Sequence, residues 1–497
     1  MKKPYYITTP IYYVNDRPHI GHAYTTVIAD TYARFNREQL GAENVFFLTG
    51  TDEHGTKIAQ SATKAGLEPQ AFVDGVVAEY KKVWAALGIS HDAFFRTTDP
   101  RHEKIVQDFL TKLYDAGYIY KKNYKGWYCV GCEKFLSFEE IVNGACILHP
   151  NTPLVEQEEE NYFFKLSEFA PQVLAALEKG ADAGAANGAG GYDIFPPERR
   201  NEIAGKMKQE GERAITDVSV SRPNVAWGIP LPWDPKHTVY VWVDALINYV
   251  SATKMFPAKA ADGSEISREK FWPADLHLVG KDILWFHTLI WQGLLLASGL
   301  ELPRAVVAHG FFTIDGQKMS KSLGNVIDPM ALIAEYGAEA TRYLLITAFP
   351  FGSDGDISLA RFKEKYNADL ANGIGNLVAR VAKLAEQLPE NPLSAADIKK
   401  AHAHFPEVAA HFAAHRPDLA LATVIDRTRA LDQKIGLEQP WKKEGTELAA
   451  ALADYTKELI AIGTNLRPFL PETAEKILAT FTASKIVKPA EGLFGRK

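Results

Sequence analysis

Cysteine is scarce in this chain: there are three in 497 residues, all between positions 129 and 146. That scarcity excludes a disulfide-stapled scaffold and fits a reducing cytosol. Long apolar runs are missing as well. The most membrane-like stretch, Ile283 to Leu300, is interrupted by His287 and Gln292 and reads as a buried helix, so no membrane association is expected. Pro4, Thr8, Thr9 and Pro10 break up the apolar core that a signal peptide would need after Met1-Lys2-Lys3, which leaves a cytoplasmic protein as the expectation. Excess positive charge is absent too. With a net charge of −6, any nucleic-acid contact must rest on local patches. The remaining composition is that of an ordinary globular protein, and the length calls for about three or four domains.

Tyr5 to Thr9 reads as a buried strand. After a loop comes a helix from Ile20 to Leu40, closed by Gly41, and then a second strand, Asn44 to Thr49. Polar residues gather at the strand ends, at Gly50-Thr51-Asp52, where an open parallel sheet binds ligands. From Tyr118 to Trp227 the pattern shifts to cysteines, acidic runs and a Gly/Ala tract, Gly180 to Gly191, as expected of an insertion. Val239 to Val243 and Leu276 to Gly280 resume strand-like character. From Leu359 onward helical periodicity dominates.

Two segments carry the chemistry. His19-Ile20-Gly21-His22 puts imidazoles at i and i+3 on a helix start, beside unpaired N–H groups and the positive end of the dipole. Lys318-Met319-Ser320-Lys321-Ser322 crowds ammonium and hydroxyl groups into a glycine-led loop. Each alone has a bland explanation, a capped helix or a solvated loop, but the two together suit a polyphosphate. Between them, Cys129-x2-Cys132 and, thirteen residues on, Cys146-x2-His149 have the spacing of a four-ligand zinc knuckle. Four protein ligands leave no open position, so a zinc there is structural.

Together these segments resemble the HIGH and KMSKS motifs of the class I aminoacyl-tRNA synthetases. Pro10 to Asn15, Thr51-Asp52-Glu53-His54-Gly55-Thr56, Tyr240 to Asp244, Gly280-Lys281-Asp282 and His309-Gly310 extend the similarity to the bacterial methionyl-tRNA synthetases over nearly the whole chain. The resemblance implies an α/β fold. A split Rossmann-like nucleotide-binding domain spans 1–117 and 228–305, with a zinc-knuckle connective-peptide insertion at 118–227. A KMSKS-loop linking domain follows at 306–358, and a C-terminal α-helical bundle anticodon-binding domain at 359–497. It also implies ATP-dependent activation of L-methionine to methionyl-adenylate and transfer to tRNA(Met), with Mg²⁺ accompanying ATP.

By the same resemblance His19, His22, Lys318 and Lys321 are catalytic, and Gly21, Gly280, Asp282, His309, Phe312 and Lys321 bind ATP. Pro10, Ile11, Tyr13, Asp52, Trp242, Ala245, Leu246, Tyr249, Ile283, Phe286 and His287 bind methionine, and Asn376, Arg380 and Trp441 read the anticodon. Without the family, Trp242, Phe286 and His287 read as core residues. The insertion is too short for the editing domain of the Ile, Leu and Val enzymes. No cysteine lies among the pocket residues, which favours methionine over cysteine as substrate. Pro230 stands where relatives place a ribose-binding carboxylate, and no OB-like dimerisation domain follows the helices, so a monomer is expected. Two alternatives stay open: a tRNA-binding, non-catalytic paralogue, and another HIGH-superfamily adenylate-forming enzyme.

Overall fold

The structure is a computed structural model that describes residues 3–132, 134–136, 140–181, 190–211, 214–223, 225–259, 264–314, 316–319 and 326–497. The first half builds β1 (Tyr5–Tyr13), α1 (Ile20–Leu40), β2 (Val45–Asp52), α2 (Thr56–Ala65), α3 (Pro69–Ala86), β3 (Ala93–Arg96) and α4 (Pro100–Asp115). All eight residues of β2 are buried, as in a parallel strand covered on both faces. In α1, Ile20, Ala23, Tyr24, Val27, Ile28, Thr31 and Tyr32 are buried at i, i+3, i+4 spacing.

Next come β4 (Ile119–Cys129) and β5 (Val155–Phe164), which pair antiparallel as a long ribbon. The stretch read as one insertion is then divided, because β6 (Asp193–Phe195) pairs in parallel with Ala305–His309 at the edge of the main sheet. The Gly180 to Gly191 tract lies largely outside the described residues.

The expected strand Val239 to Val243 is not one. A strand, Asp234–Val239, ends there and Val241 opens α5 (Val241–Met255). Val243, Leu246, Ile247, Tyr249, Val250 and Ala252 are all buried, so the helix shows no polar face and its β-branched start reads like a strand. β7 (Leu276–Gly280) and β8 (Ala305–His309) complete a six-stranded, all-parallel sheet of order β3-β2-β1-β7-β8-β6. The buried helix expected over Ile283 to Leu300 is present, opening with a π-helical turn, Phe286–Ile290, that runs into an α-helix, Trp291–Ser298.

Beyond the sheet lie α6 (Ala338–Ile346), α7 (Asn376–Ala385), α8 (Pro417–Glu438), α9 (Gly445–Leu466) and α10 (Pro471–Thr482). Arg342 of α6, only 1% exposed, ties them to the sheet. Its Nη2 lies 2.7 Å from Asp30 Oδ2 on α1, and its Nε donates to the Phe469 carbonyl at 2.9 Å. A buried charge is tolerated only with such partners.

Candidate active site

The cleft opens at the C-terminal ends of the strands, between β1 and β7, where the winding of the sheet reverses. A bulge between Thr8 and Ile11 interrupts the pairing of β1 with β2 at the same level. Pro10, which has no N–H, falls in it. β1 pairs with β7 only through Ile7 and Thr8, so its last turn diverges from Gly280.

His19 is the N-cap of α1, and both imidazoles are used in the cap. His19 Nδ1 accepts from Gly21 N–H at 3.1 Å, and His22 Nδ1 accepts from His19 N–H at 3.2 Å. The rings stack at 3.8 Å. Burial holds His19 down to about 4 and His22 well below the usual imidazole range, with His19 adding to the second. Both rings are therefore neutral at pH 7, and with Nδ1 accepting, the proton sits on Nε2. Each ring thus keeps one N–H donor for a ligand at the positive end of α1.

The second motif reaches the first. A Cβ at Gly21 would lie 3.8 Å from Met319 Cε, and Ile20 N–H donates to the Ile327 carbonyl at 3.1 Å. Lys318 pairs its backbone with Thr313. Ser320, Lys321 and Ser322 lie outside the described residues, as does the side chain of Lys318. Across the cleft, His309 Nε2 is 2.7 Å from Thr25 Oγ1 on α1. Burial raises the Asp282 carboxyl and lowers His309. The Phe312 side chain packs into the core, 4.9 Å from the Tyr24 ring, so only its backbone faces a ligand.

Ile11, Trp242, Leu246, Tyr249, Ile283 and Phe286 share one apolar cluster, and Ala245 of the same helix is buried. Trp242 and Phe286 stack at 4.0 Å. Tyr13 packs instead with the core on the α1 side. His287 Nδ1–H donates to the Ile283 carbonyl at 3.0 Å, so its Nε2 accepts from the Tyr249 hydroxyl at 2.7 Å. Burial takes His287 down to about 4, which keeps this arrangement uncharged. Asp52, 7% exposed, ends β2 at the rim, where its carbonyl accepts from Val14 N–H at 3.2 Å.

At the tip of the ribbon, one ligand atom each from Cys129, Cys132, Cys146 and His149 lie within 4.8 Å of one another. Cys132 Sγ is 3.5 Å from Cys146 Sγ and 3.2 Å from His149 Nδ1. The edge of a tetrahedron with bonds of about 2.3 Å is about 3.8 Å, so the set fits a metal ion. A Cβ at Gly131 would come within 2.4 Å of His149 Cγ, so only glycine lets the chain wrap this tightly.

The sequence matches the family described as tRNA synthetases class I (M) over residues 5–148 and 136–382. The chain belongs to that family. A methionine–tRNA ligase of Clostridium perfringens is 42% identical over 96% of this chain and 73% of its own length, and one from Thermosynechococcus vestitus is 40% identical over 96% and 90%. Among solved structures, Mycobacterium tuberculosis methionyl-tRNA synthetase in complex with methionyl-adenylate aligns with a TM-score of 0.86 at 35% identity, over 99% of this chain and 100% of that one. The apo form of the same enzyme aligns at 0.80 and 32%, over 100% and 99%.

In this class I synthetase the three positions read as anticodon contacts lie in the helical region. Asn376, the first residue of α7, is exposed, and Arg380 one turn on pairs with Asp432 of α8. Trp441 is 54% exposed on the turn that leaves α8, after Gln439 in the left-handed region at φ 48°. Described helices of this synthetase include none long and apolar enough to cross a membrane. Sequence reasoning missed Thr25, one turn from the HIGH motif, and Tyr80, whose hydroxyl lies 3.3 Å from His22 Nδ1. It also passed over His54, although the quoted Asp52-Glu53-His54 run contained it. Proximity to a motif could have flagged Thr25 and His54; Tyr80, on α3, had no such signal.

Proposed function

We propose that this chain is a methionine–tRNA ligase: it activates L-methionine with ATP and transfers the methionyl group to tRNA(Met). The observation that carries this reading is the match, over 99% of the chain, to a synthetase holding methionyl-adenylate, closer than to the apo form of that enzyme. The methionine carboxylate attacks the α-phosphorus, the bond to the bridging oxygen breaks and pyrophosphate leaves. The terminal ribose hydroxyl of tRNA then attacks the adenylate carbonyl and AMP departs.

No nucleophile of the protein is needed, so catalysis is positioning plus charge stabilisation. His19 and His22 donate Nε2–H to phosphate oxygens as charge builds on them, with no change in their own protonation. Lys318 and Lys321 neutralise the departing pyrophosphate, and Gly21, Gly280, Asp282, His309 and the Phe312 backbone hold the nucleotide. Trp242, Phe286, Tyr249 and His287, with Pro10, Ile11, Tyr13, Ala245, Leu246 and Ile283, enclose the methionine side chain, and Asp52 takes the α-ammonium. Mg²⁺ bound with ATP would neutralise phosphate charge. Zinc on Cys129, Cys132, Cys146 and His149 would order the ribbon tip. Asn376, Arg380 and Trp441 read the anticodon, in a cytoplasmic monomer whose domains follow the bounds given above, except that Asp193–Phe195 belongs to the nucleotide-binding sheet.

Amino-acid-dependent exchange of pyrophosphate into ATP, run across a panel with and without tRNA, tests the reading. Methionine alone should support exchange without tRNA. Exchange with a different amino acid overturns the substrate. Absence of exchange alongside tight tRNA binding would mark a non-catalytic paralogue.

A further inference from the structure

Behind the amino-acid site, and outside every set of residues assigned above, one buried carboxylate joins three elements. Asp244, in the first turn of α5, is 1% exposed. Its Oδ2 lies 2.7 Å from His54 Nδ1, on the loop after β2, and its Oδ1 lies 2.8 Å from His102 Nε2 on α4. An ionised carboxylate can only accept, so His102 Nε2 carries the proton given to Asp244, and His102 Nδ1 lies 2.9 Å from the Ser251 hydroxyl, also on α5. Burial opposes ionisation of Asp244, but the two imidazoles more than offset it and hold its carboxyl below the usual range. Burial likewise pulls His54 down, and Asp244 outweighs it, for a net rise.

The position of this bridge gives it meaning. His54 is two residues beyond Asp52, and Asp244 two residues beyond Trp242. The same loop is fastened on its other side by Trp227, whose indole N–H donates to the Glu53 carbonyl at 2.5 Å and whose carbonyl accepts from Gly55 N–H at 3.0 Å. The Trp227 ring stands against His54 at 5.5 Å. A carboxylate and two imidazoles withdrawn from water cost free energy that an apolar contact of the same volume would not. What the set provides in return is a directional, two-pronged link between the loop bearing Asp52 and the helix bearing Trp242.

We infer that Asp244 is a positioning residue of the amino-acid site, fixing through His54 the separation between the carboxylate of Asp52 and the aromatic wall begun by Trp242. The inference rests on the methionine-site reading given above. Asp244 itself touches no reacting atom. Its loss should therefore weaken amino-acid binding while leaving the nucleotide side, built on α1, β7 and β8, unchanged.

The test is exchange kinetics of the full chain. For Asp244→Ala the KM for methionine should rise about ten-fold or more while the KM for ATP stays within about two-fold. Asp244→Asn should restore most of the loss, because its amide can accept from one imidazole and donate to the other after a tautomer change. His54→Gln, which leaves the link to His102 intact, should give the same split and serves if the alanine variant does not fold. Equal rises in both KM values, or a lowered melting temperature with the methionine KM unmoved, overturn the inference. If the wild-type chain exchanges with a different amino acid, the methionine reading fails but the split, measured with that amino acid, still judges Asp244. A wild-type chain that exchanges with none removes both.

Discussion

Around the cleft, His287 and Asp244 are withdrawn from water and His19 and His22 are half-buried, and hydrogen bonds hold all four and dictate where the proton of each imidazole sits. On the β4–β5 ribbon exposed charges pair across the two strands, Lys121 with Glu160 at 2.6 Å and Lys125 with Glu156 at 3.2 Å. Surface pairs of this kind contribute little, about 0–1 kcal/mol each. Among the described residues, the buried apolar content of the ribbon tip is Cys129, Leu136 and Cys146, while Val130, Val142, Ile147 and Leu148 face solvent. The sheet thus holds its site by packing, and the ribbon tip offers four candidate metal ligands in place of an extended core. On the proposed reading, geometry in the first region is independent of any ion, while order in the second depends on one.

Metal removal should break that contrast most visibly. Cys132→Ser or chelation should abolish a one-per-chain metal content and the hydrogen-exchange protection of residues 129–149, since a structural zinc contributes roughly 10–16 kcal/mol in finger peptides. Methionine-dependent exchange should outlast tRNA charging. An unchanged exchange pattern at the tip would mean that it has a core of its own. Next in size, His19→Asn keeps a capping oxygen but loses the Nε2–H donor. Thermal stability should hold while the rate of adenylate formation falls about 10²–10³-fold, or roughly 2.7–4 kcal/mol. A variant that loses stability and not rate would make His19 a cap only.

Trp441→Ala probes a third region, exposed like the ribbon but not dependent on metal. Its tRNA affinity in a charging assay should drop by about 1–3 kcal/mol, as for one stacked base, with exchange unaffected. The smallest effect concerns pH. His19 and His287 titrate at about 4 in the folded chain and near 6.5 unfolded. The unfolded state therefore binds more protons in that window, so stability is full above pH 6.5 and is lost as pH falls toward 4. At pH 5.5 each such group should cost about 1.4 kcal/mol, measurable by denaturant titration. A flat profile would show that the cleft histidines accept protons without strain.

The same contrast explains what could be read from sequence. α1 was legible because the cap at His19 and Gly41 agree on its limits. The convergence of Cys129, Cys132, Cys146 and His149 was legible because their spacing is itself the structure. α5 was not, since a helix buried on nearly every side carries no period, and Val241 to Val243 favour a strand locally. The joining of β6 to the main sheet was invisible for a different reason: three residues next to a tract without periodicity give no pairing signal. The His54–Asp244–His102 bridge draws one residue from each of three distant segments. Its meaning exists only once α4, α5 and the β2 loop are packed together.

Arg342 bears on how this chain can be altered. One planar guanidinium spans Asp30 on α1, the Leu87 carbonyl and the carbonyls of Pro468 and Phe469, at 2.7, 3.3, 3.4 and 2.9 Å. The helical region is therefore not a cartridge that can be exchanged at a linker. A chimaera that imports another bundle must also import a corner presenting two carbonyls at the height of Phe469, or leave Asp30 buried without its main counter-charge in the helix that begins at His19.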